Sequence, residues 1–308
     1  MVNEKQWYRK ASGGEGEIFS RLWANEAPKA VLQIAHGMAE HSERYKEFAT
    51  LLAENGYVVC MEDHAGHGPH TKCKGFFAEK DGWLSVVNDV KGLMDEVTAL
   101  YPGLPVFLMG HSMGSFLVRS YIVRYGEGLS GCILSGTMGP NPLVNVVKTL
   151  IAITVACKGK KAEATLIGKL SGGANQGKFK NEGSPFAWLT TDTAEVQKYE
   201  DDPFCGFVFT ASGYGDLFDG ITEITAPGWA DKVPRKLPVY IYSGEDDPVG
   251  DYGKGVKQVF DALKACDVED VEIKLYCGGR HEMHNEVNKQ EVYADVLGWL
   301  DKKVAAKG

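Results

Sequence analysis

The chain of 308 residues carries a formal net charge of −8, with 44% hydrophobic and 24% charged residues, a balance that excludes a disordered tail, a collagen-like fibre and a coiled coil. Its acidity lacks the basic footprint of a nucleic-acid binder. The length slightly exceeds what one hydrophobic core usually reaches, and 37 glycines, against a usual share of ~7%, point to many tight turns or close backbone approaches.

In chain order, strand-like stretches on either side of Gly13-Gly14-Glu15-Gly16 predict an antiparallel hairpin at a sheet edge. Apolar runs at Ala30–Ala35, Tyr57–Met61, Val106–Met109, Gly131–Leu134 and Val239–Tyr242 are near-continuous, as strands covered on both faces should be. A sixth run, Val271–Tyr276, alternates Val271, Ile273 and Leu275 with Glu272 and Lys274 and suits a strand exposed on one side. Between the runs, Val86, Val90, Leu93, Met94, Val97 and Leu100 fall at helical spacing, as do Val292, Tyr293, Val296, Leu297 and Leu300 near the end. Strand alternating with helix predicts an α/β fold, a mostly parallel sheet flanked by helices. The rhythm breaks over residues 138–228, which are helix-like and rich in aromatics (Phe186, Trp188, Phe204, Phe207, Phe209, Phe218), and resumes at Leu237. The chain therefore divides into a discontinuous core of residues 1–137 and 229–308 and an inserted helical cap of residues 138–228.

The seven cysteines are odd in number and scattered, with no C-x-x-C pair, and Cys60 and Cys132 sit inside apolar runs. They read as free thiols of a reducing compartment. Met1–Gln6 lacks the apolar core of a signal peptide, and the longest nearly apolar stretch, Leu143–Cys157, falls short of the ~20 residues that span a bilayer. A cytoplasmic protein without stable membrane insertion is expected.

Val106–Met109 runs straight into Gly110-His111-Ser112-Met113-Gly114 and then into a helical pattern from Ser115 to Tyr125. This is a G-x-S-x-G turn in its required strand–turn–helix context, with Ser112 as candidate nucleophile. A serine hydroxyl needs a base, and the base needs an acid to orient it. Only His281 and His284 follow Ser112 in the chain; His281, in the glycine loop just past the last strand, is the candidate base, and His284 reads as structural. The acid belongs after Val239–Tyr242, where Glu245, Asp246 and Asp247 stand together. Pro248 fixes the chain just after Asp247, yet spacing alone does not separate Asp246 from Asp247. Two donors must receive the oxyanion, each worth about 3–4 kcal/mol of barrier. Met113 N–H follows the nucleophile directly, and Met38 N–H, in the loop after Ala30–Ala35, is the second candidate.

His64, His67, His70 and Cys73 recur every third residue, but Gly66, Gly68 and Pro69 exclude a helix that would gather them on one face. No metal site is expected, and without a Rossmann fingerprint or P-loop no nucleotide cofactor is implied.

As a set, these loops resemble the monoacylglycerol lipase and lysophospholipase branch of the α/β-hydrolases. His36-Gly37-Met38-Ala39-Glu40-His41-Ser42 with Arg44-Tyr45 resembles its oxyanion loop, and Asp63 with Gly66-His67-Gly68 its next loop. Gly110–Gly114 is similar to its elbow, Gly244-Glu245-Asp246-Asp247 to its acid loop, and Gly278-Gly279-Arg280-His281 to its histidine loop. The resemblance implies an α/β-hydrolase fold, catalysis by Ser112, Asp247 and His281, and small acyl esters as substrates, with the cap built over an acyl pocket; the cap's apolar content alone leaves room for transient contact with a lipid surface. Alternatives on the same scaffold are a proline iminopeptidase-like aminopeptidase, which would need an acidic pocket among Asp192, Asp201, Asp202, Asp216 and Asp219, and a short-chain carboxylesterase. A non-catalytic binding protein is the third. Leu143–Cys157 and the cap aromatics are expected to line or gate the acyl pocket, or else to pack as cap core.

Overall fold

The computed structural model describes residues 1–14 and 16–306; Glu15 of the predicted hairpin turn and residues 307–308 lie outside the described residues. Strands β1 (Asn3–Lys10) and β2 (Glu17–Ala24) form the expected hairpin, with Asn3 opposite Ala24 and Lys10 opposite Glu17. Then follow β3 (Ala30–Ala35), α1 (Lys46–Glu54), β4 (Tyr57–Glu62), α2 (Gly82–Leu100), β5 (Val106–His111), α3 (Met113–Tyr125) and β6 (Gly131–Ser135). Helices α4 (Val144–Lys158), α5 (Thr165–Gln176), α6 (Thr193–Asp201) and α7 (Ala211–Thr225) come next, before β7 (Val239–Gly244), α8 (Lys254–Ala265), β8 (Val271–Tyr276) and α9 (Lys289–Ala305). The eight strands form one sheet in the order β1-β2-β4-β3-β5-β6-β7-β8. Only the β1–β2 and β2–β4 pairs are antiparallel; every pair from β4–β3 to β7–β8 is parallel.

Every residue of β3 through β7 is buried, which is why their apolar runs are continuous. The pleat sends alternate residues to two cores: Val31 packs beneath α2, α3 and α8, while Leu32 and Ile34 pack beneath α1 and α9. Strand β8 is half-buried up to Tyr276. Its charged side pairs with α9, where Lys274 meets Asp295 at 2.6 Å and Glu272 meets Lys303 at 3.1 Å. The alternating charges there are both paired and partly solvated, with Lys274 and Glu272 side chains 37% and 41% exposed.

The helices of 138–228 share the main core. Leu217, Ile221 and Ile224 of α7 join the same buried cluster as Val90 of α2 and Leu117 of α3. The approach is close enough to demand glycine: a Cβ on Gly220 would lie 2.1 Å from the Trp83 ring, and one on Gly213 1.8 Å from the Gly75 carbonyl oxygen. Part of the glycine excess therefore serves docking of the inserted helices. Among the described residues no helix is long and apolar enough to cross a membrane, and all seven cysteines are free thiols.

Candidate active site

Ser112 stands between β5 and α3 at φ 52°, ψ −121°, a conformation that persists only when its surroundings over-determine it. Here its N–H donates to the Ser135 carbonyl of β6 at 2.9 Å, and its own carbonyl accepts from Ser115 N–H at 2.8 Å and Ser115 Oγ at 2.6 Å. Side chains two positions to either side are forbidden: a Cβ on Gly110 would meet the Gly114 carbonyl oxygen at 2.2 Å, and one on Gly114 the Ala35 carbonyl oxygen at 2.0 Å. Met113 is the first residue of α3, so its N–H has no intrahelical acceptor and stands at the positive end of the helix.

Asp247, in the turn after β7, is fully buried, whereas Glu245 and Asp246 are exposed. Its Oδ2 accepts from Ser243 Oγ at 2.7 Å, and its Oδ1 accepts from Val249 N–H at 2.9 Å and lies 2.9 Å from His281 Nδ1. Asp247 thus meets His281, and the neighbouring carboxylates do not. Burial pulls the His281 imidazole toward a lower pKa, but the Asp247 carboxylate outweighs it and holds His281 above its ordinary 6.5. His284 is stacked on Tyr45, with ring centroids 4.5 Å apart, and burial lowers it to about 3, so it stays neutral and packed.

Ser112, Met113, His281 and Met38 line one cavity of about 400 Å³. The Met38 loop is braced from three sides. Gly37 N–H donates to the Glu40 carboxylate, and Ala39 N–H donates to His67 Nε2 at 3.2 Å. The Ala39 carbonyl, at a residue with φ 53°, accepts from Tyr199 OH at 3.0 Å and Gly206 N–H at 2.9 Å, both from the inserted region. The histidine series is absorbed by the same framework: His67 Nδ1 bonds the Ala65 carbonyl, His64 N–H donates to His36 Nε2, and His70 meets Tyr8 OH. His41 bonds Asp202 at 2.8 Å. With Cys205 these two form a trio of candidate ligand atoms, all within 4.8 Å of one another, at the seam with α6.

The cavity walls are largely apolar: α7 supplies Tyr214, Leu217, Phe218 and Ile221, α5 the small residues Gly168, Ser171, Gly172 and Ala174, and Phe116, Met138, Phe186, Phe207 and Val208 complete them. Of the segment Leu143–Cys157 only Val144 reaches it; Leu143, Val146 and Ile153 are exposed. Phe209 is instead buried in the core against Phe77 and Tyr214.

Sequence reasoning missed the polar end of this cavity. Glu40, Tyr199 and Glu282 line it, and Arg44 bridges both carboxylates, at 2.6 Å to Glu40 and 2.7 and 2.6 Å to Glu282. Burial pushes both acids up; the guanidinium prevails at Glu282 and brings it down to about 2, while Glu40 stays raised. The available signal was Glu40, Arg44 and Glu282 standing in the two loops already singled out.

Residues 26–288 match the family described as serine aminopeptidase, S33. The chain is 28% identical over 296 residues to the monoglyceride lipase of Homo sapiens, covering 94% of this chain and 89% of that one. It is likewise 28% identical to the monoacylglycerol lipase of Mycolicibacterium smegmatis, over 94% and 95% of the two chains. A thermostable carboxyl esterase from Bacillus coagulans, solved in complex with glycerol, superposes with a TM-score of 0.91 at 29% identity, covering 98% of this chain and 99% of that one.

Proposed function

The chain belongs to the serine aminopeptidase, S33 family, with the α/β-hydrolase fold, and on that premise we propose that it hydrolyses monoacylglycerols, lysophospholipids or similar acyl esters in the cytoplasm through Ser112, His281 and Asp247. At the coarser level it is a serine hydrolase of carboxylic esters. In the proposed cycle Ser112 Oγ attacks the ester carbonyl while His281 takes its proton, and Asp247 holds Nδ1–H so that Nε2 is the basic nitrogen. The N–H groups of Met38 and Met113 receive the oxyanion. His281 then protonates the leaving alcohol, and water, activated by the same histidine, hydrolyses the acyl-enzyme.

The observation that carries an ester over a peptide substrate is the charge of the cavity. None of Asp192, Asp201, Asp202, Asp216 and Asp219 lines it. Asp192 caps α6, Asp201 accepts from Gln197, Asp202 bonds His41 and Asp219 pairs with Lys148. The carboxylates that do line it, Glu40 and Glu282, share Arg44, and their oxygens also accept from Gly37 N–H, Tyr45 OH and Asn285, so at most one formal negative charge is left there and its acceptor sites are already engaged. Apolar walls suit an acyl chain, and the polar end a hydroxyl-bearing alcohol. Exposed Leu143, Val146, Ile153, Leu166 and Leu170 on α4 and α5 and just before them give the cap an apolar outer face suited to brief contact with a lipid surface.

Fluorophosphonate labelling tests the chemistry: wild type is labelled and Ser112→Ala is not. Equal labelling of both, or none, refutes it. A series of p-nitrophenyl esters and monoacylglycerols, run beside an aminoacyl-naphthylamide, tests the substrate class; fast aminoacyl turnover with negligible ester cleavage would overturn it.

A further inference from the structure

The loop that carries His281 is laced to one segment of the cap. Glu282 N–H donates to the Leu189 carbonyl at 2.7 Å, and Thr190 Oγ1 donates to the Asn285 carbonyl at 3.0 Å. Arg280 reaches across to the carbonyls of Ala187 and Thr190 and to the Glu182 carboxylate, with its guanidinium 4.3 Å from the Phe179 ring. At the centre of this seam is Glu286, only 1% exposed. Its Oε1 accepts from Thr191 N–H at 3.0 Å on the cap side and from Arg280 N–H at 2.9 Å on the histidine side. Its Oε2 accepts from Thr191 Oγ1 and from Val287 N–H at 3.2 Å. A buried carboxylate so fully engaged is a rigid joint, because losing any donor leaves charge unsatisfied.

The tied segment is also a wall of the cavity. Phe186, Trp188 and Leu189 line it, and the Trp188 ring centroid is 5.1 Å from that of His281. Whatever packs against these side chains therefore presses on the element that positions the base.

We propose that Glu286 is a positioning residue that couples the segment Phe186–Thr191 to His281, so that an acyl chain seated on that wall aligns the base. Acyl-chain length is then expressed in kcat and not in KM alone. This is binding energy from a remote part of the substrate used at the reacting centre, and it rests on the ester-hydrolase reading above.

The experiment measures kcat and KM separately for p-nitrophenyl acetate, butyrate, octanoate and decanoate with wild type, Glu286→Gln and Thr191→Val. Thr191→Val removes one donor at constant shape and serves if the Gln variant folds poorly; thermal midpoints are recorded for each. In wild type kcat rises along the series by about tenfold, the scale of one charge-assisted hydrogen bond. In both variants KM still falls with chain length while kcat flattens. Parallel kcat profiles in variants and wild type, or a wild-type kcat indifferent to chain length, overturn the coupling. Absence of fluorophosphonate labelling in wild type overturns the underlying ester-hydrolase reading instead, so the two failures are distinct.

Discussion

Asp89 on α2 offers a quantitative test of how burial governs this fold's stability. The side chain is 1% exposed, its Oδ1 accepts from Ser12 N–H at 2.6 Å, and its Oδ2 has no partner among the described residues. Burial first, and the nearby Glu62 carboxylate second, raise Asp89 from 3.8 to about 7. The folded protein thus keeps a proton that the unfolded chain loses above pH 3.8, and stability falls as pH rises through that window before levelling off above about 7. The full span is at most about 4 kcal/mol. Asp89→Asn keeps the shape and the acceptor for Ser12 but cannot ionise. Because the raised value already includes the bond from Ser12, the variant should be up to about 4 kcal/mol more stable than wild type at about pH 8. At about pH 3, below both values, the two should be equal. Urea midpoints followed by tryptophan fluorescence across this range read the difference directly. A gap independent of pH, or a less stable variant at the alkaline end, would refute the argument.

Removing Glu282 by Glu282→Gln takes from Arg44 its two-pronged partner and should cost about 3 kcal/mol in thermal or urea unfolding. Because Glu282 is held down at about 2, its stabilisation in wild type is present above the ordinary carboxylate value of 4.5 and is lost as pH falls toward about 2. Gly220→Val drives a side chain into Trp83, whose ring would lie 2.1 Å from the new Cβ, and should destabilise by about 2–3 kcal/mol with α7 displaced; unchanged unfolding would count against the close docking of α7. Ile221→Trp fills part of the cavity that Ile221 lines, so KM for octanoyl and decanoyl esters should rise about tenfold while acetyl ester turnover is nearly unaffected; uniform loss across the series would contradict the acyl pocket. In the proposed cycle His281 must be neutral to act as base, and Asp247 raises it above 6.5, so the rising limb of kcat/KM should fall above that value in wild type and shift to lower pH in Asp247→Asn, with kcat reduced by about 10⁴.

Much of the frame was legible in the sequence because it depends on local rules. Burial on both faces makes an apolar run, helical packing makes a stripe, and the Ser112 turn tolerates only glycine at 110 and 114, so strands, helices and the elbow left periodic or compositional marks. Candidate residues were legible for the same reason, since each stands just past a strand end. What depends on partners distant in the chain was not. Asp246 and Asp247 are neighbours, and only the turn's packing buries one and exposes the other. The Leu143–Cys157 segment has the apolar content of a cavity wall, yet the docking of α7 against Trp83 gives that wall to Leu217, Phe218 and Ile221. The charges of β8 carried no sign that their partners would be Asp295 and Lys303 of α9. Arg44 and Glu282, 238 residues apart, carry no mark of each other. Periodicity records which face of an element is buried; only the tertiary structure decides what that face is buried against, because the partner's identity is set by chain topology and not by local propensity.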